Sequence, residues 1–518
     1  MPADPSGAFF EYHEPSIVDI LTLISFFVLL NVFGWLSNRL LRAELIGQIA
    51  VGLIYGIPIS GILALEWQEA FLALGYIGLL IVIFEGGLTI RLDLLRQNLV
   101  LSIIAAVLGV LTPISLTFAL LYAGFGHAPL EAFIVGVALC STSLGTTFVV
   151  INSASASRGL DFSQTRIGTV LLSAAVLDDV CGLVLVSVIR ELRGVAPVEG
   201  GESGGTANLG WIIGRPLLAS GLMAVLTPIS AKLAFGPLLR LSSVRNSLSR
   251  YGHGSNIVMM VMVLCAFLAT AAYAGASVLF GSFLGGMFLS MLREPETERT
   301  SCEAISNKPS PHFSHTFKKY LADVQRFVFQ PLFFASVGFA IPFLELWTAE
   351  VIWKGILFSL LMACGKLIVG LCVPLWDLAA TVSRRRAASL SEQALGCKGV
   401  LTSTWAPATL LGTAMVARGE IGLLIIQIGL NETPYLGRKA FVIAVWAIIV
   451  NTIVGPVSAG FLIKTVGQKI AEHPRWGIRP REGTKEDGLE RDMEVVGSSV
   501  LAPPQSAQTS ATVTTQDR

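Results

Sequence analysis

Two aspartates, Asp178 and Asp179, stand side by side in the middle of the apolar run LLSAAVLDDVCGLVLVSVI. Insertion scales put an Asp or Lys at the centre of a membrane helix at about 2.5–3.5 kcal/mol, so a pair there needs a chemical reason. Consecutive helix positions are about 100° apart, so the two carboxylates cannot share one face. One can face a cavity while the other packs toward a neighbouring helix. In a low dielectric the two do not both ionise freely. A carboxylate that holds a proton and a metal cation in turn is the minimal machinery of an exchanger.

Lys366 lies mid-run in SLLMACGKLIVGLCVP. It is a natural ion-pair partner for Asp178 or Asp179, and it can itself carry a proton when buried. The apolar sequence continues well past it, which disfavours snorkelling to an interface. Glu85, Arg418 and Glu420 also fall within apolar runs. Two runs are interrupted by helix-weakening residues. VALCSTSLGTTFVVI carries Ser141, Thr142, Ser143, Gly145, Thr146 and Thr147; ATLLGTAMVARGEIGLLII carries Gly412, Thr413, Arg418, Gly419, Glu420 and Gly422. Hydroxyls and freed backbone groups at mid-membrane form cation sites in discontinuous helices, although Ser and Gly also serve ordinary helix packing.

The elements that must hold these residues follow from composition. Of 518 residues, 53% are apolar and 14% charged, against about a quarter charged in soluble domains. With a mean hydropathy of +0.70, this describes an all-α polytopic membrane protein. It excludes a cytosolic enzyme, a disulfide scaffold and a mainly disordered chain. The net charge of +1 gives no argument for nucleic acid. The seven cysteines form no CxxC pair, so neither a disulfide framework nor a zinc site is expected. The N-terminus is acidic (Asp4, Glu11, Glu14) and lacks the basic region of a cleaved signal peptide, so the first apolar run is expected to be a retained span.

About 20 apolar residues cross a bilayer. Thirteen segments qualify: roughly 16–37, 44–63, 69–90, 98–123, 130–152, 166–190, 209–236, 256–275, 277–292, 324–343, 348–376, 402–429 and 436–463. The eighth and ninth are separated at Ala274-Gly275-Ala276, where a tight turn is expected. Lys and Arg collect in alternate loops, from Arg39 and Arg42 through Arg384–Arg386 to Lys464, Lys469 and Arg475. This predicts an outside N-terminus and a cytoplasmic C-terminus. Residues 194–208 read as a Gly-rich external loop, and from about 475 the chain is polar and reads as a disordered tail. Asn431-Glu432-Thr433 is a glycosylation sequon on a very short loop. With the seventh span as a linker, two six-span units remain, with an interrupted span fifth in each. Equivalent spans are an odd number apart, which is the arithmetic of an inverted repeat with two broken crossing helices.

Six segments in order carry a family resemblance: LGYIGLLIVIFEGGLTIRLDLL (74–95), TSLGTTFVV (142–150), LLSAAVLDDVCGLVL (171–185), QPLFFASVGFAI (330–341), CGKLIVG (364–370) and MVARGEIGLLI (415–425). Together they resemble the monovalent cation:proton antiporter superfamily of the Na⁺/H⁺ exchanger type. The resemblance implies a cation/H⁺ exchanger transmembrane domain over 16–466, an extracytoplasmic N-terminus (1–15) and a cytoplasmic, largely disordered tail (467–518). It implies Asp179 as the ion- and proton-binding carboxylate, Asp178 as its partner, Lys366 as the basic residue of the core, and Thr142 to Gly145, with Ser143, as the first crossover. Arg418, Glu420 and Glu85 would compensate charge. A homodimer divided into core and dimerisation domains is also implied, in the plasma membrane or an endomembrane, surrounded by lipid. The Asp-Asp pair with a core lysine resembles the electrogenic branch, whereas Phe84-Glu85-Gly86-Gly87-Leu88 resembles the electroneutral one.

No Walker A pattern is present: Leu367 follows Gly365-Lys366. Transport of Na⁺, K⁺ or Li⁺ against protons would therefore be gradient-driven, without a cofactor. The alternatives are a transporter of the same fold for an organic or anionic solute, suggested by Arg418 and Lys366, and, remotely, an intramembrane aspartyl protease. The protease needs aspartates on two helices, and here both share one.

Overall fold

The computed structural model describes residues 12, 14–90, 95–96, 98–143, 145, 165–195, 209–237, 251–292, 312–387 and 397–477. The second half of the fifth expected span, most of the loop 194–208 and the tail from 478 lie outside the described residues. Among the described residues there are helices and no strands.

The main helices are α1 (Ile17–Leu41), α2 (Glu44–Tyr55), α3 (Leu65–Thr89), α4 (Leu99–Thr117), α5 (Pro129–Cys140), α6 (Arg166–Glu191), α7 (Leu209–Ser230) and α8 (His253–Ala274). They continue with α9 (Val278–Met291), α10 (Phe313–Tyr320), α11 (Gln330–Phe339), α12 (Ala349–Val369), α13 (Cys372–Ala387), α14 (Cys397–Ala414), α15 (Glu420–Glu432) and α16 (Arg438–Ala471). Among the described residues, eight helices are long and apolar enough to cross a membrane, and α2, α5 and α9 are shorter apolar ones.

Several ends differ from the hydropathy boundaries, each for a local reason. The second expected span, 44–63, is helical only to Tyr55, because Gly56 and Pro58 stop it. α16 runs past residue 466 to Ala471, carrying Lys464 and Lys469 on its last turns. The tight turn between α8 and α9 is present. Gly275 takes φ +80, and its N–H and that of Ala276 close on the carbonyls of Ala271 and Ala272. A side chain is strained in that left-handed conformation, which is why glycine ends α8.

The helices pack as two groups. One holds α1, α2, α3, α8, α9 and α11; the other holds α4, α5, α6, α12, α14, α15 and α16. α7 touches α6 in one group and α9 in the other. Close backbone approach within the first group rests on small residues. A Cβ at Gly87 of α3 would stand 2.1 Å from the Phe283 carbonyl, and one at Gly286 of α9 would stand 2.1 Å from the Phe84 carbonyl. The two helices therefore fit glycine into backbone in both directions. Among the eight long spans, α6 and α16 are the most buried, at 67% of their central windows, and α8 the least, at 11%. The helix that carries the acidic pair is thus enclosed by protein.

Adding a methyl at Gly286 must push α3 and α9 apart. Gly286→Ala should cost about 1–3 kcal/mol and lower the melting temperature of the purified protein. Gly221→Ala, on a face of α7 with open space around it, should leave it unchanged. Equal melting of the two variants would contradict this packing.

Candidate ion site

α6 places the two aspartates on different sides, as their angular offset requires. Asp178 is fully buried and faces Lys366 of α12, also fully buried. The ammonium donates to Asp178 Oδ2 and lies 3.0 Å from Thr142 Oγ1. Thr142 in turn donates its hydroxyl to the same carboxylate oxygen at 2.6 Å. One ammonium, one hydroxyl and one carboxylate form a closed triangle. The added hydrogen bond from Thr142 offsets part of the cost of burying the charge pair.

Asp179, next along the helix, is 8% exposed and turned elsewhere. It lines a narrow cleft with Ser141, Thr142, Ser143, Gly419, Glu420 and Ile421. Asp178 Oδ1 and Asp179 Oδ1 have no hydrogen-bond partner among the described residues.

The cleft lies at the end of α5 and at the break between α14 and α15. α5 stops at Cys140, Ser141 is extended, and Thr142 and Ser143 are outside any helix. α14 stops at Ala414, and the chain resumes helix at Glu420. The two openings cross: Ser143 N–H donates to the Ala417 carbonyl at 3.0 Å. The crossing needs glycine, because a Cβ at Gly419 would stand 2.6 Å from Ser143 Cβ and one at Gly455 of α16 would stand 2.4 Å from the Ala417 nitrogen.

Charge at the helix ends is balanced locally. The C-terminal end of α5 carries partial negative charge. Arg418, fully buried, donates from Nη1 to the carbonyls of Cys140 at 3.3 Å and Ser141 at 2.9 Å. The N-terminal end of α15 carries partial positive charge, and Glu420 occupies its first turn. Thr452 Oγ1 donates to the Arg418 carbonyl at 3.1 Å, tying this unwound segment to α16.

The structure therefore gathers Asp178, Asp179, Thr142, Ser143, Lys366, Arg418 and Glu420 in one region. Glu85 is elsewhere, near the end of α3, where the charge facing it is Lys318 of α10. Two participants went unread in the sequence. Gly109 of α4 sits against the ion pair: a Cβ there would lie 3.3 Å from both Asp178 Oδ1 and Lys366 Nζ. A glycine inside an apolar run gives no signal of this. Thr452 was more visible, since Asn451-Thr452 is a polar pair in the run VWAIIVNTIVG.

Residues 22–465 match the family described as sodium/hydrogen exchanger, transmembrane. The chain is 24% identical to the Na(+)/H(+)-K(+) antiporter GerN of Bacillus cereus, over 82% of this chain and 90% of that one. It is 24% identical to a Na(+)/H(+) antiporter of Enterococcus hirae, over 87% and 98% of the two chains. Its fold is similar to that of the sodium proton antiporter MjNhaP1 from Methanocaldococcus jannaschii, with TM-score 0.54 and 16% identity, over 86% of this chain and 99% of that chain.

Removing one partner of a buried pair leaves the other charge uncompensated, which costs about 3–5 kcal/mol. Lys366→Ala should therefore lower the melting temperature sharply, and adding Asp178→Asn should restore part of the loss. A Lys366→Ala protein that melts like the parent would mean that the ammonium does not hold Asp178.

Proposed function

Given that the chain belongs to the sodium/hydrogen exchanger transmembrane family, an integral multi-pass membrane family of transporters, we propose that it exchanges a monovalent cation, Na⁺, K⁺ or Li⁺, for protons by alternating access. The observation that carries this reading is the division of labour in the acidic pair. Asp178 is occupied by Lys366 and Thr142, whereas Asp179 faces a cleft of hydroxyls and a second carboxylate. Hard cations take oxygen ligands, and the cleft offers them from Asp179, Thr142 and Ser143. A proton on Asp179 removes the charge that holds the cation. One carboxylate thus couples the two flows.

The family relationship, the end of α5 at Cys140 and the break between α14 and α15 support thirteen crossings arranged as two inverted six-helix repeats. The basic loops support an outside N-terminus and a cytoplasmic C-terminus. The family relationship also supports a homodimer. Transport of an anionic solute is disfavoured, because Lys366 and Arg418 are both fully buried and turned to Asp178 and to the α5 carbonyls. The cleft is lined by carboxylates instead.

Asp179→Asn should reduce Na⁺- or K⁺-driven proton flux in proteoliposomes to background while the melting temperature stays near that of the parent, since the Asp178–Lys366 pair is untouched. Robust flux in this variant would refute the assignment.

Stoichiometry follows from the other carboxylate. If Asp178 or Lys366, like Asp179, takes up a proton on one side and releases it on the other, two protons move against one monovalent cation and net charge crosses, at about 2.3 kcal/mol per elementary charge at 100 mV. Flux should then respond to a clamped potassium potential with Na⁺ or Li⁺ as substrate, and Asp178→Asn should exchange without that response. Parent flux indifferent to potential would point to one-for-one exchange.

A further inference from the structure

The first four N–H groups of a helix have no partner within it. In α6, the helix of the acidic pair, Gly168 N–H donates to Thr165 Oγ1 of the N-cap at 3.1 Å. Two more are satisfied from a segment some 310 residues further along the chain. Arg166 N–H donates to the Gly477 carbonyl at 3.1 Å, and Ile167 N–H to the Trp476 carbonyl at 3.2 Å. Trp476 is fully buried although it follows the last helix. Its Nε1 donates to Asp377 Oδ2 of α13 at 2.9 Å, beside Arg475 Nη1 on Asp377 Oδ1 at 3.2 Å. The Arg166 guanidinium lies 4.9 Å over the Trp476 ring and donates from Nε to Asn98 Oδ1, at the start of α4, at 3.2 Å. A few residues past α16 thus tie together the starts of α4 and α6 and the side of α13.

His473 shapes this segment. Its Nδ1 accepts from Arg475 N–H at 3.2 Å and Trp476 N–H at 3.3 Å, and Gly477 N–H donates to its carbonyl at 2.8 Å. The backbone of Ser403 on α14 also hydrogen-bonds the imidazole. A ring nitrogen that accepts carries no proton, so the folded segment requires neutral imidazole. The groups facing it are Asp377 from α13, Ser403 from α14 and Arg475 from its own segment, with Arg166 of α6 over the adjoining indole. Burial is the largest influence and pushes the imidazole pKa below its ordinary value; Asp377 opposes this and Arg475 adds to it. The sign follows. Docking favours the neutral ring, so its contribution is whole above the free imidazole value of about 6.5 and is lost as pH falls through the lower docked value.

We propose that residues 473–477 form a strap that clamps the N-terminal end of the acid-bearing helix while His473 is neutral and lets go when His473 is protonated, so that acid on that face loosens the helix carrying Asp178 and Asp179. The strap does not depend on which ion is carried. It is tested by hydrogen exchange on the full-length protein at about pH 7.5 and about pH 5.5, either side of the ordinary imidazole value, after correction for the intrinsic rate. Peptides covering 165–169 and 473–477 should be protected at the higher pH and should lose protection together, by up to about tenfold, at the lower one. A peptide from α9 should not change. His473→Asn keeps an acceptor for the N–H groups two and three residues on but does not titrate, and should stay protected at both values. Trp476→Ala, or the milder Asp377→Asn should the first not fold, should expose both peptides at both values. Protection at 165–169 that ignores pH, or a pH loss that persists in His473→Asn, would overturn the switch. Protection at 165–169 that survives the loss of Trp476 or of the Asp377 charge would overturn the strap.

Discussion

An ammonium and a carboxylate are tolerable deep in a membrane protein only when they meet. The fully buried contact between Lys366 and Asp178, bridged by Thr142, is the constraint around which the second helix group is arranged. It draws α12, α6 and the segment after α5 to one point. Gly109 lets α4 close over that point, since a side chain there would press on both charged groups. Arranged this way, two costly residues neutralise each other, and the neighbouring carboxylate of Asp179 is left to face the cleft. The same ladder of positions along α6 thus yields one structural and one accessible acid, because a step of one residue turns the side chain by about 100°.

The crossing of the two unwound segments meets a second constraint. Breaking a helix in an apolar medium frees N–H and carbonyl groups that water cannot reach. Here one freed N–H, that of Ser143, is satisfied by the opposite segment through Ala417, and the carbonyls at the end of α5 are met by Arg418. Arg418 is itself held through its carbonyl by Thr452. The basic residue of the crossing therefore serves the backbone at the end of α5.

The two helix groups differ in character. The group with α3 and α9 approaches closely through glycines against backbone, whereas the group around α6 is organised by polar contacts in its interior. The short segment after α16 joins this second group: Trp476, Asp377 and Arg166 link the starts of α4 and α6 to α13. The acidic pair and the contacts of Trp476 and Gly477 thus sit on one element, α6.

Much of this was readable without coordinates. Low charge and long apolar runs determined a polytopic helical membrane protein, because charged and unpaired polar groups are excluded from lipid. The cost of burying Asp178, Asp179, Lys366, Arg418 and Glu420 marked them as a functional set, and hydroxyl and glycine runs marked the two breaks. Glu85 was marked by the same cost, yet it lies near the end of α3, where Lys318 of α10 is the charge that acts on it, since cost shows that a charge needs a partner and not which one. The sequence left Lys366 free to choose between two aspartates, and only tertiary packing assigned it to Asp178. Hydropathy likewise placed the end of the core near residue 466 and read the chain from about 475 as tail, whereas Trp476 is buried against Asp377 and the first turn of α6. The reason is the same in each case. Burial cost and helical period are local and are written along the chain, whereas the identity of a partner some 190 or 310 positions away, as for Lys366 with Asp178 and Trp476 with Ile167, is settled only when the helices pack.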